Sequence, residues 1–66
     1  MTAIEVAADA MVAVPGAHWR AFEESDFVSL YGHFPDGRCG ASLIREGQDA
    51  GAAAEAMAFA WMEGKL

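Results

Sequence analysis

Pro35-Asp36-Gly37 stands between two runs of strand-forming residues, and this junction restricts the fold more than any other part of the chain. Proline presets the first turn angle, aspartate bonds to nearby backbone, and glycine accepts the left-handed conformation that closes a tight turn. The flanking runs, Phe27 to Phe34 and Arg38 to Arg45, therefore read as an antiparallel hairpin. A third run, His18 to Glu23, comes before them across the acidic turn Glu23-Glu24-Ser25-Asp26. Three consecutive strands with short connections predict a three-stranded antiparallel meander.

Side chains on a strand alternate between faces. Alternation predicts one face of Val28, Leu30 and Phe34 with Cys39, Ala41 and Leu43, joined by Trp19 and Ala21. The opposite face takes Phe22, Phe27, Tyr31, His33 and Ile44, with Arg20. Large apolar groups stand on both faces, and one helix can cover only one of them.

A helix is predicted over residues 49–63. Asp49 is placed to cap it, alanines fill it, and Gly64 stands at its C-cap position. Ala53, Ala56, Met57, Ala60 and Trp61 form one stripe, while Phe59 and Met62 fall outside it beside Glu55 and Glu63. Near the N-terminus, Thr2-Ala3-Ile4-Glu5 is a capping-box pattern, followed by an alanine-rich run that Pro15-Gly16 stops. The cap and the alanines favour a helix, which would cover the second sheet face. Ile4, Val6, Ala8, Ala10, Val12 and Val14 also alternate as a strand would. The expected class is α+β in the order α-β-β-β-α, with a four-stranded sheet plus one helix as the alternative.

Length now matters. Sixty-six residues make one domain, 1–66, yet 55% of them are hydrophobic. A chain of this size buries only about 60% of its unfolded surface. Its core supplies roughly 3–5 kcal/mol unless it is stapled or oligomerised. Cys39 is the single cysteine, so no internal disulfide can form, which fits a reducing cytosol. The first basic residue is Arg20, so no basic signal-peptide region precedes it. No apolar run reaches the ~18 residues of a membrane span. A small soluble cytoplasmic protein is expected, with its surplus apolar surface turned to a partner, a second copy or a second small layer.

Ten acidic residues stand against four basic ones, for a net charge of −6. This argues against direct binding to nucleic-acid phosphates or anionic membranes. The charge either suits a basic protein partner or serves only to keep a small apolar protein soluble. Phe22, Phe27 and Tyr31 on an open sheet resemble the base-stacking platforms of single-stranded RNA binders, but those need cations, and Arg20 alone is at hand. His18, His33 and Cys39 show no close metal-ligand spacing, and Cys39 reads as a small buried hydrophobe. The serines lack a nucleophile motif, and Glu23, Glu24 and Asp26 read as a solvated acidic turn. Neither enzymatic activity nor a cofactor is expected.

The stretch from Asp36-Gly37-Arg38 to Gly64 joins a return strand to Gly47-Gln48-Asp49-Ala50-Gly51-Ala52-Ala53-Ala54-Glu55-Ala56-Met57. It resembles the C-terminal half of certain small phage-encoded anti-CRISPR proteins. The resemblance covers under half the chain and carries over no functional residue. It implies a non-enzymatic viral inhibitor in the host cytosol, acting as a nucleic-acid mimic on the basic nucleic-acid path of a Cas effector. The same tail is similar to antitoxins of the HicB type, although those usually carry an additional DNA-binding segment. The alternative is a homodimeric antitoxin-like or structural module whose surplus apolar surface is its own interface. Candidate partner-binding residues are the acidic Glu23, Glu24, Asp26 and Asp36, with the apolar Phe22, Tyr31, Phe59 and Met62.

Overall fold

In the computed structural model, which describes residues 1–66, the chain runs α1 (Ala3–Ala13), β1 (His18–Glu23), β2 (Val28–His33), β3 (Cys39–Ile44) and α2 (Ala50–Met62). The strands form one antiparallel sheet in the order β1-β2-β3. The N-terminal segment is a helix, and its first turn shows why. The Thr2 hydroxyl accepts the Glu5 amide at 3.2 Å and the Glu5 carboxylate accepts the Thr2 amide at 2.8 Å, which satisfies two N–H groups a helix start leaves free. α2 is capped in the same spirit: Asp49 Oδ1 accepts from the amides of Gly51 and Ala52.

Both helices lie on the same face of the sheet. The expectation that α1 would cover the second face is thereby corrected. The core joins Val6 and Ala10 of α1 and Ala50, Ala54 and Met57 of α2 to Trp19, Val28, Leu30, Phe34 and Ile44. Alanines at the helix–helix contact let α1 and α2 pack side by side. The stripe that α2 buries is accordingly rotated from the predicted one: Ala54 is fully buried while Ala56 is exposed.

The turn chemistry explains a second correction. Gly37 donates to the Phe34 carbonyl at 3.0 Å, Phe34 donates to the Arg38 carbonyl at 2.9 Å, and Gly37 has a φ of 92°. This is a three-residue loop with a glycine bulge, one residue longer than a two-residue turn. The extra residue pairs His33 with Cys39 and Val28 with Ile44. Since one step of register exchanges the two faces, Ile44 points inward and is 1% exposed, and Cys39, Ala41 and Leu43 point outward. The expected burial of Cys39 and Leu43 is therefore reversed.

Glycines shape the inner face. Trp19, Gly32 and Gly40 form one cross-strand row, and a Cβ on Gly32 would lie 2.5 Å from Trp19 Cζ3. The two glycines leave a trough that the indole and Met57 fill. Trp19 Nε1 donates to the Val14 carbonyl at 2.8 Å, tying the end of α1 to β1.

Candidate functional site

The outer face of the sheet has no layer over it. The register arranges it as three cross-strand rows, His18/His33/Cys39, Arg20/Tyr31/Ala41 and Phe22/Ser29/Leu43. Just past the strand ends, the Glu24 amide donates to the Phe27 carbonyl and Arg45 lies over the Phe27 ring, which continues the pattern as a fourth row. Phe22, Leu43 and Tyr31 stay 52%, 51% and 39% exposed. The Phe22 and Tyr31 rings meet edge to face at 5.8 Å, a favourable aromatic geometry. Arg45 lies over the Phe27 ring at 5.9 Å, so this face carries a second arginine that the strand pattern did not place there.

One end of the molecule is acidic. The start of α1, the β1–β2 turn and the β3–α2 turn converge there, lining two adjoining clefts. One holds Glu5, Asp9, Glu46 and Asp49, the other Glu23, Glu24, Asp26 and again Glu46, so seven of the ten carboxylates share this pole. Both helices begin at it, and their dipoles favour negative charge. Three of the seven serve the fold directly. Glu5 and Asp49 cap helices, and the Glu23 carboxylate accepts the Ala3 amide at 3.1 Å. Asp9, Glu24 and Asp26 bond to no other side chain, and Glu46 has only the N-terminal amine at 4.0 Å.

The eight residues singled out from the sequence thus separate into three groups. Phe22, Glu23, Glu24, Asp26 and Tyr31 come together where the outer face meets the acidic pole. Asp36 lies at the far end of the sheet, in the β2–β3 loop, and is spent within the fold. It accepts from Trp61 Nε1 at 2.9 Å and from Arg38 Nε at 2.8 Å, and forms a 2.7 Å ion pair with that guanidinium. The Arg38 hydrogen bond, followed by that of Trp61, lowers its pKa to about 2. Phe59 and Met62, on the side of α2 away from the core, are 62% and 66% exposed and touch no second layer.

The fold also gathers the only two histidines and the cysteine into a single row, which their sequence spacing conceals. The two imidazole rings stand 6.4 Å apart and tilted, and no group of three histidine, cysteine or acidic side chains is arranged to hold a metal ion. No helix is long and apolar enough to cross a membrane. Comparison of the chain with protein-family models, with curated proteins and with solved structures gives no match.

Proposed function

We propose that the chain is a non-enzymatic inhibitor that docks its acidic pole on a basic protein surface, where its carboxylates take the place of nucleic-acid phosphates. The supporting observation is the gathering of seven carboxylates at one end, four of which do no capping. Three of these four, Glu24, Asp26 and Glu46, lie on loops, where they can be offered to Arg and Lys of a partner with no change of fold. Following the sequence resemblance, the partner is a basic subunit of a Cas effector complex, and the chain acts in the host cytosol as a phage anti-CRISPR protein.

The reading is tested by adding the purified chain to Cas effector complexes and measuring their DNA binding. Inhibition is expected, with association slowed by added salt and by Asp26→Lys combined with Glu46→Lys. Glu23 is left intact, because its loss would disturb the start of α1. Glu55→Lys, on the exposed side of α2, should leave inhibition unchanged. Effectors that bind DNA normally in the presence of the chain would exclude the anti-CRISPR role. Binding that ignores both salt and the double reversal would exclude charge complementarity.

A further inference from the structure

We infer that the outer sheet face is a self-association surface, on which a second copy of the chain packs sheet to sheet with its strands reversed. The first argument is charge. Of the four cations, Arg38 and Lys65 are tied to Asp36 and Glu63, whereas Arg20 and Arg45 form no ion pair. Both unpaired arginines belong to the outer face, whose one carboxylate is Glu24. The chain as a whole carries −6. This face is therefore the surface on which two copies meet without pressing acidic groups together.

The second argument fixes the orientation. Face-to-face packing with the strands in the same direction would set one acidic pole on the other. Reversal sends the poles to opposite ends and lays each strand over its own counterpart. The rows then complement each other. Glu24 falls over His18 of the second copy, and Arg20 over the Phe22 ring of the second copy, a cation–π arrangement. Tyr31 falls over Ser29, and Leu43 over Ala41, so large side chains enter the gaps above small ones, as sheet-on-sheet packing requires.

The third argument is size. Three strands of six residues span roughly 14 by 20 Å. Such a footprint sits at the low end of specific interfaces, about 1,200 Å² in total or less, so a weak, reversible dimer is expected. Both acidic poles remain displayed, one at each end, which would give a target two points of attachment.

Sedimentation equilibrium from low micromolar to several hundred micromolar tests this. A monomer–dimer equilibrium is expected. Leu43→Lys, at a half-exposed position that should leave the monomer folded, is expected to weaken it about tenfold or more. Glu24→Arg and His18→Glu should each weaken it, and the double variant should restore it, because reversal makes these two residues partners. Circular dichroism confirms that each variant is folded. A chain that stays monomeric throughout, or whose outer face is covered only when another protein is added, overturns the inference. So does a dimer indifferent to Leu43→Lys, or a double variant no better than the singles. Asp26 and Glu46 lie outside this contact, whereas Glu24 belongs both to it and to the acidic pole, so target binding is read from Asp26 and Glu46 and dimerisation from Leu43→Lys and His18→Glu.

Discussion

The two faces of the sheet are built from the same three strands yet answer to different constraints. On the inner face, the central positions are set by what lies above them. Gly32 and Gly40 are small because Trp19 and Met57 occupy the space, and Leu30, with no exposed surface, is enclosed on all sides. On the outer face, Phe22, Tyr31 and Leu43 are large although nothing in the chain covers them. Folding accounts for the first set. The second set is left exposed by the fold, so its size and apolarity call for another explanation, which the proposed contact with a second copy would supply.

The sharpest way to break this contrast is to truncate one leucine on each face. Leu30→Ala opens a cavity in the core and should cost about 2–5 kcal/mol, comparable to the whole stability of so small a domain. Leu30→Ala should be largely unfolded at 37 °C. Leu43→Ala, in a dilute solution where the chain is monomeric, should cost about 1 kcal/mol or less. Urea denaturation followed by circular dichroism measures both. Equal losses would mean that the outer face also carries the fold.

Next in size is an addition to the inner face. Gly32→Ala would put a methyl carbon 2.5 Å from the Trp19 ring and 3.0 Å from the Met57 sulfur, so the indole must move. Overpacking of this kind costs about 1–3 kcal/mol. The denaturation midpoint should fall, and near-ultraviolet dichroism of the tryptophans should change. An unchanged spectrum would show that the trough has slack. Ala41→Ser on β3 serves as the control, since that position is exposed on the outer side.

Much of the fold was legible because local chemistry declared it. The Thr2–Glu5 capping box, Asp49, the Pro35-Asp36-Gly37 loop and the three strand runs each announce an element through their own residues. What could not be read depends on contacts between elements. The face of β3 hinged on which residues pair across the Pro35-Asp36-Gly37 loop: Phe34 bonds to Arg38 and His33 pairs with Cys39, which turns Cys39 and Leu43 outward. The placement of α1 beside α2 depended on alanines meeting across a helix pair, which periodicity does not reveal. At the candidate site, Glu24, Asp26, Phe22 and Tyr31 were recognisable as an exposed group. The capping role of Glu23 and the engagement of Asp36 were not, because Ala3 and Trp61 are 20 and 25 residues away. Arg45 was missed on the outer face for the same reason that Leu43 was misplaced.

The smallest expected effect tests the boundary between the closed and open regions, at the hairpin end. There Phe34 stacks on Trp61 at 4.8 Å, and Asp36 joins that indole to Arg38. The carboxyl titrates near pH 2 in the folded chain against a reference value of 3.8. A carboxyl whose folded pKa is depressed stabilises the fold above its unfolded pKa, and that stabilisation fades as pH falls through about 4 towards 2. The group is exposed and screened by solvent, so the effect is modest. Asp36→Asn removes the ionisation while keeping a carbonyl that can accept from Trp61. Thermal melts should show the wild-type chain above the variant at pH 6, with the gap closing between pH 4 and pH 2 and Trp61 fluorescence changing over the same window. A gap independent of pH would mean that Asp36 holds the hairpin to α2 by hydrogen bonding alone, and that its charge adds nothing to the closed side of the molecule.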